Sequence, residues 1–286
     1  MNRGLIVVAT LVFLVSLFSC NGQGHKPSIL SGAMSGYTNE HRERKFLKDE
    51  VKEISGMVFL NDGQKMASVN DEEPKIFIID YANKDTTTSF TFGEKGGDFE
   101  DIVMDEKYYY VLESRGRIYK VPKQKSAGDS VVIFKMDIKN ADFEAMYLDS
   151  AKKRIVMLCK SCPDLEKSKM KPAYAFDLTT NQFSSEPVFT LDVAKVRKLL
   201  KSPNFGARPS AAAIHPILKK IFIVCSQDGK GLLICNLEGN IEQAIYLDES
   251  LYPQPEGITF SPNGDLYISN EGLYQPGSII RYPYRR

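Results

Sequence analysis

This chain has few histidines and almost no net charge. Only three histidines, His25, His41 and His215, occur among the 286 residues, which makes a zinc site a poor fit. The 37 basic and 36 acidic residues leave a formal net charge of +1, unlike the strongly basic surface of a nucleic-acid-binding protein. No Ser-His-Asp arrangement is readable. The composition, 43% hydrophobic and 26% charged, is that of a folded globular protein.

A long apolar run occurs at the N-terminus, between Leu5 and Phe18. Arg3 precedes it and the small residue Ser19 follows, which is the arrangement of a secretory signal. The ending "LFSC" resembles a bacterial lipobox, in which the cysteine is diacylated and becomes the new N-terminus, so Cys20 is the predicted lipid anchor. The alternative is an uncleaved anchor, although the run is short for a membrane span of ~20 residues.

The segment 21–44 is rich in Gly, Ser and Asn and shows no sustained period. It is predicted to be a flexible tether that holds a folded domain, residues 45–286, away from a membrane. Asn21 is not the aspartate that retains lipoproteins in some inner membranes. We therefore expect a lipoprotein of the bacterial cell envelope, in the outer membrane and facing the periplasm.

Five stretches of the predicted domain repeat one pattern. "GGDFEDIVM" at residue 96 is echoed by "NADFEAMYL" at residue 140, and three more stretches align with them. Each has a short strand, a polar turn, a strand rich in Val, Ile and Tyr, a second turn and a third strand. The equivalent position near the start of each unit, called here the landmark residue, is occupied by Ser55, Glu100, Glu144, Ser210 and Glu256.

Units of about 45 residues with four short antiparallel strands are typical of the blades of a β-propeller. The sequence thus predicts an all-β, five-bladed propeller. The fifth unit lacks a fourth strand, and "RKFLKD" near the N-terminus is the candidate to supply it and close the ring. A helical insertion is expected near 192–202, with Asp192 as its N-cap. A sixth, degenerate blade within 160–208 and a β-sandwich are the alternatives.

The landmark residues are expected to meet at one mouth of the central channel, because the first strand of each blade lines that channel. Crowded carboxylates raise one another's pKa or require a cation, and calcium accepts several carboxylates in flexible geometry. Acidic residues also follow the second strands, near the same mouth. The predicted calcium ligands are Glu100, Glu144, Glu256, Asp71, Glu113, Glu271 and Asp228. The alternatives are glutamates that hydrogen-bond neighbouring blades, or an acidic rim for a cationic organic ligand.

The sequence "CKSC" has the spacing of a redox motif, with Cys159 and Cys162 as its cysteines. Redox motifs place the first cysteine at a helix N-terminus after a strand, whereas here a strand runs into a proline turn. A chance pair, or a local disulfide in an oxidising compartment, is the favoured interpretation.

Four elements resemble the SdiA-regulated (YjiK-like) propeller proteins of bacterial envelopes: "EISGMVF", "DFEDIVM", "DFEAMYL" and "QPEGITFSPNGDLYISNEG". The resemblance covers residues 45–286 and implies a five-bladed propeller with a bound calcium ion and no established enzymatic activity. The acids that match the family's acidic positions are Glu100, Glu144, Glu256, Asp71, Glu113 and Glu271. Two departures, Ser210 followed by Ala211 and Lys160 without a nearby acid, predict a lopsided site.

The favoured function is a membrane-anchored, calcium-binding module for a ligand or a partner. One alternative is a metal-dependent hydrolase of lactones or phosphoesters, with Glu271, Asp71 or Asp228 as general base. The other is a protein-interaction scaffold that uses the tyrosines at 108–110 or the inserted helix. His215 precedes a proline at a strand end and is expected to be structural.

Overall fold

The computed structural model describes residues 34, 36–60, 64–83, 85–94, 96–124, 130–162, 169–272 and 274–285. The signal segment, Cys20 and most of the predicted tether lie outside the described residues. The first strand is β1 (Glu43–Phe46). The remaining strands follow in five groups, each of which forms the main part of one blade.

The strands of blade 1 are β2 (Ile54–Phe59), β3 (Lys65–Asn70), β4 (Lys75–Asp80) and β5 (Asp85–Thr91). Those of blade 2 are β6 (Phe99–Met104), β7 (Tyr108–Glu113), β8 (Arg117–Pro122) and β9 (Val132–Lys135). Those of blade 3 are β10 (Asp142–Asp149), β11 (Arg154–Ser161), β12 (Met170–Asp177), β13 (Gln182–Phe183) and β14 (Phe189–Asp192). Those of blade 4 are β15 (Arg208–Ile214), β16 (Ile221–Gln227), β17 (Gly231–Cys235) and β18 (Ile241–Tyr246). Blade 5 has β19 (Pro255–Phe260), β20 (Leu266–Asn270) and β21 (Ser278–Tyr282).

All pairings are antiparallel, and each sheet runs from its first strand outward in chain order. Blade 3 divides its outer strand, because β13 and β14 both pair with β12. The predicted five-bladed propeller is confirmed, and neither a sixth blade nor a β-sandwich is formed by the described residues.

Five apolar cores hold the ring together, one between each pair of neighbouring blades. Side chains alternate between the two faces of a strand, so each blade contributes to two cores. In β3, Met66 packs towards Tyr267 of blade 5, whereas the next residue, Ala67, packs towards Val111 of blade 2. This arrangement explains why the inner strands are apolar almost throughout: both of their faces are buried.

The two ends of the chain close the ring. Strand β1 is the outermost strand of blade 5 and pairs with β21 in the register Glu43 to Arg281 through Phe46 to Ser278. The Arg281 guanidinium reinforces this pairing, since it contacts Glu43 at 3.2 Å and Asp265 at 2.7 Å. The predicted closure by "RKFLKD" is confirmed.

The inserted helix, α1 (Val193–Leu200), also follows the prediction. The Asp192 carboxylate caps it by accepting hydrogen bonds from the backbone N–H groups of Ala194 at 2.8 Å and Lys195 at 3.1 Å. The apolar face of the helix is buried in the core between blades 3 and 4. No helix among the described residues is long and apolar enough to cross a membrane.

His215 joins the N-terminal segment to the propeller. Its Nδ1 accepts hydrogen bonds from the backbone N–H groups of Ile217 and Leu218, both at 3.1 Å. Its Nε2 therefore carries the proton and donates to the Tyr37 hydroxyl at 2.8 Å, which in turn donates to the Gly264 carbonyl. Tyr37 and Met34 are buried in the core between blades 4 and 5. Burial lowers the pKa of His215 to about 4, so the imidazole is neutral and structural.

A chain that starts at Asp49 lacks β1 and should lose stability, because β21 would become an exposed and hydrogen-bond-competent edge. We expect a lower melting temperature and concentration-dependent association, measured by circular dichroism and size-exclusion chromatography. A chain that starts at Arg42, which keeps β1 but likewise lacks Met34 and Tyr37, is the control. Equal melting temperatures for the two chains would contradict the closure argument.

Replacement of His215 by Phe removes three hydrogen bonds and should cost about 2–4 kcal/mol in urea unfolding at neutral pH. The parent should also lose stability as pH falls from 6.5 towards about 4, because the unfolded histidine takes up a proton that the folded one resists. The free energy of unfolding of His215→Phe should not show this decrease with falling pH. Tyr37→Phe removes two hydrogen bonds, with His215 and with the Gly264 carbonyl, and should cost about 1–3 kcal/mol while it keeps the loss of stability with falling pH; a flat pH profile in this variant would argue against this account.

Candidate functional site

Each landmark residue lies in a β-bulge. In blade 2, Phe99 is opposite Glu113 and Asp101 is opposite Leu112, which leaves Glu100 unpaired. The same register shift occurs in the first strand of every other blade, where it leaves out Ser55 with Gly56, Glu144, Ser210 and Glu256. An unpaired bulge residue bends the strand and redirects its side chain. The recurrence of "DFE" is therefore the recurrence of a bulge that carries a carboxylate.

The bulges bring the three landmark glutamates close enough to repel one another. Burial raises the pKa of Glu100 to about 10, with further increases from Glu144, Asp98 and Glu256. Burial, followed by repulsion from Glu144, raises the pKa of Glu256 to about 8. The mouth of the channel thus gathers carboxyl groups whose ionisation is opposed by burial and by one another, so Glu100 and Glu256 hold their protons at neutral pH.

Glu144 differs from the other two because it has a buried partner. The Lys160 ammonium forms an ion pair and a hydrogen bond with its carboxylate, and each residue is only 7% exposed. Burial raises the pKa of Glu144 to about 7, and the attraction of Lys160 opposes that rise. In the register of the blades, Lys160 occupies the position of Asp71 in blade 1 and Glu271 in blade 5. The sequence segment around Lys160 has no acid of its own, and the β10–β11 pairing brings Glu144 to it from the neighbouring strand.

A disulfide flanks Lys160. Cys159 and Cys162 are bonded, with their Cα atoms 6.1 Å apart, and both are buried. Of the two interpretations that the sequence left open, a chance pair and a local disulfide, the structure has the disulfide. Lys171 on the adjacent strand donates a hydrogen bond to the Lys160 carbonyl at 2.7 Å. The backbone behind the ammonium is therefore held on two sides.

The residue after each landmark is buried in all five blades. It is small in four blades, where it is Gly56, Ala145, Ala211 and Gly257, and it is Asp101 in blade 2. The Asp101 carboxylate accepts hydrogen bonds from the N–H groups of Ile102 and Met146, both at 2.8 Å. A Cβ atom on Gly56 would lie 2.3 Å from an Asp101 oxygen, so glycine is required there. Burial raises the pKa of Asp101 well above its usual range.

Asp71 and Glu271 extend the acidic mouth, as predicted. Burial and then Glu53 raise the pKa of Asp71, while burial, Asp71 and Glu53 raise that of Glu271. Glu271 also repels Glu256, so this second group adjoins the landmark glutamates. A hydrogen bond from the Gln254 side chain orients the Glu271 carboxylate.

Glu113 and Asp228 are engaged elsewhere. Glu113 is buried and pairs with Arg117 at 3.0 Å on the neighbouring strand. Asp228 pairs with Arg208 at 2.8 Å, and its side chain is 58% exposed. The structure therefore brings five of the seven predicted ligands towards one mouth and gives the other two arginine partners.

Asn270 is a candidate ligand contact that the sequence did not single out. It is 1% exposed, and neither its Oδ1 nor its Nδ2 has a hydrogen-bond partner among the described residues. It pairs with Pro255, next to Glu256, and precedes Glu271. A buried amide without partners costs about 1–3 kcal/mol, so a polar ligand or water at this mouth would relieve an existing cost.

The opposite mouth has a different chemistry. The C-terminal ends of the first strands enclose a cavity of about 250 Å³ whose walls include Phe59, Met104, Ile214, Phe260 and Pro262. Its walls are mainly apolar, and they carry no acidic side chain. The candidate site is therefore the acidic mouth.

The fit of calcium to the acidic mouth is partial. Carboxylate and amide oxygens are suitable calcium ligands. Among the residues that the structure describes, however, no three His, Cys, Asp or Glu side chains are grouped to hold one metal ion, and Lys160 occupies the Glu144 carboxylate. The site as arranged does not fit calcium without displacement of the ammonium.

The fold and the site together define a β-propeller with an acidic channel mouth. No protein-family model and no curated protein matches the chain. A structure of the nidogen/laminin complex is similar, with a TM-score of 0.51 and 14% identity over 79% of this chain and 74% of that chain. At that identity the similarity shows the fold alone.

Two other solved structures are more distant. A luciferin-regenerating enzyme has a TM-score of 0.49 and 13% identity, over 84% of this chain and 95% of that chain. The WD40 domain of Pan2 from Neurospora crassa has a TM-score of 0.39 and 12% identity, over 82% of this chain and 63% of that chain.

The raised pKa of Glu100 predicts a stability that falls as pH rises. The folded carboxyl holds its proton up to about pH 10, whereas the unfolded one releases it near 4.5, so the free energy of unfolding decreases between these values. Glu100→Gln should remove this contribution and be about 2 kcal/mol more stable than the parent near pH 8, with little difference below 4.5. Urea unfolding across this range is the measurement, and the exposed Glu106→Gln is the control. Parallel pH profiles for parent and Glu100→Gln would refute the assignment.

Proposed function

We propose that the protein is a binding module of the bacterial cell envelope whose acidic channel mouth recognises a positively charged ligand. We further propose that it is a member of the SdiA-regulated (YjiK-like) family, tethered to the outer membrane through a lipid on Cys20. The observation that carries the proposal is the set of bulged glutamates, Glu100, Glu144 and Glu256, with the buried Lys160 ammonium beside Glu144.

The electrostatics of the mouth favour a cation. Two of the three landmark glutamates have raised pKa values through burial and mutual repulsion. A cation at the mouth would lower both pKa values and would displace the protons of carboxyl groups that the fold has already positioned. Asn270 supplies amide groups with no partner beside them. These features support binding rather than architecture as the role of the bulged carboxylates.

The envelope location draws on two features. The N-terminal run ending in "LFSC" is the sequence argument for export and lipidation. The Cys159–Cys162 disulfide supports it, because disulfides persist in oxidising compartments and are rare in the cytosol.

The family resemblance implies calcium as the cation, and an organic amine is the alternative. The two differ in what they require of Lys160. Calcium needs several carboxylates at once and must displace the ammonium from Glu144, whereas an amine can bind Glu100 and Glu256 and leave the ion pair intact.

Calorimetric titration of the chain that lacks residues 1–20 tests the proposal, with calcium and the polyamine spermidine as the two probes. The triple variant Glu100→Gln, Glu144→Gln, Glu256→Gln should lose binding of whichever probe the parent takes up. The exposed triple variant Glu106→Gln, Glu186→Gln, Glu238→Gln has the same charge change and should bind like the parent. Binding that is equal in all three proteins, or absent from the parent for both probes, would overturn the proposal.

A further inference from the structure

Lys160 stands where two other blades place an acid. At the end of the second strand, blade 1 has Asp71 and blade 5 has Glu271 in the equivalent register. Blade 3 has Lys160, whose side chain turns to the landmark glutamate of its own blade. An acid at this position would add to the negative charge of the mouth, whereas the lysine subtracts from it.

The ion pair is buried, so neither member is easily lost. Removing one partner of a buried pair leaves the other charge without compensation. The ammonium has three N–H donors, of which one is directed to the Glu144 carboxylate. It also attracts Glu100 and Glu256 electrostatically. Lys160 therefore acts on all three landmark glutamates.

The backbone around Lys160 is held in place. The disulfide between Cys159 and Cys162 closes a short loop that contains Lys160 and Ser161. From the neighbouring strand, Lys171 hydrogen-bonds the carbonyl of Lys160. These constraints fix the backbone from which the lysine side chain reaches Glu144.

We infer that Lys160 is the built-in cation of the landmark ring and takes the place of a divalent metal ion, so that in this chain the site selects against calcium. The inference rests on the proposed function in one respect, since it assumes that the ring binds cations. It differs from the family resemblance, which implies calcium at the same carboxylates. A single side chain thus determines which class of cation the mouth accepts.

Lys160→Met tests this inference, because methionine keeps most of the side-chain volume and removes the charge. We expect this variant to bind calcium about tenfold or more tightly than the parent, since the number of available carboxylates controls calcium affinity. Its melting temperature should rise on addition of calcium. Lys152→Met makes the same charge change in the exposed turn between β10 and β11 and should resemble the parent.

A double variant, Lys160→Met with Glu144→Gln, removes both charges of the pair. It should fold and should not gain calcium affinity, which would attribute the gain to the released carboxylate. If Lys160→Met folds only when calcium is supplied, the metal has replaced the ammonium and the inference holds. Failure to fold with and without millimolar calcium, or an affinity equal to that of the parent, would overturn it.

The result with spermidine distinguishes failure of the proposed function from failure of the inference about Lys160. If the parent binds spermidine through the landmark glutamates while Lys160→Met gains nothing for calcium, the proposed function stands and the inference fails. If the parent binds neither probe but Lys160→Met binds calcium, the inference holds and the proposed function of the native chain fails.

Discussion

Five strands must converge on one axis, and the space available there constrains every other feature of this propeller. Four blades meet the constraint with Gly56, Ala145, Ala211 and Gly257, which have little or no side chain. The fifth place is taken by Asp101, whose carboxylate bonds to the backbone of blades 2 and 3 and leaves no room for a Cβ at Gly56. The residue just before each of these positions cannot point inward, so the bulge directs it to the channel mouth. The closely packed axis and the acidic ring are therefore two results of one local geometry.

The ring gathers more carboxyl groups, and more potential negative charge, than stability favours. Glu100 and Glu256 are desolvated and close to further acids, an arrangement that destabilises the folded protein at neutral pH. Lys160 compensates part of this charge, and the disulfide beside it holds the compensation in place. Destabilising polar arrangements of this kind cluster at functional sites. The contrast with the apolar opposite mouth shows that the acidity belongs to one end of the channel and is not general to it.

Much of the fold could be predicted because its signals are local and repeated. Turn residues and alternating apolar strands recur in five units, the missing fourth strand pointed to β1, and Asp192 marked the start of α1. The candidate site was harder to predict from the sequence. Predicting the partner of Lys160 requires the register of β10 against β11, and that register is shifted by a bulge. Nothing in the sequence distinguishes Asp101 from an exposed polar residue. Its burial follows from the convergence of the blades. Glu113 and Asp228 follow second strands as expected, but nearby arginines pair with them.

The pairing of β1 with β21 also bears on how the protein folds. Residues 43–46 contact residues 278–281, almost the full length of the domain apart, and the entropy of closing so long a loop must be met before that pairing adds stability. Contacts of such large sequence separation slow folding. The blades can form their hairpins in the order of synthesis, but the last sheet waits for a strand that was made first. Until then β21 presents an open edge, so the interval before ring closure is the period in which this chain is most exposed to association with another copy.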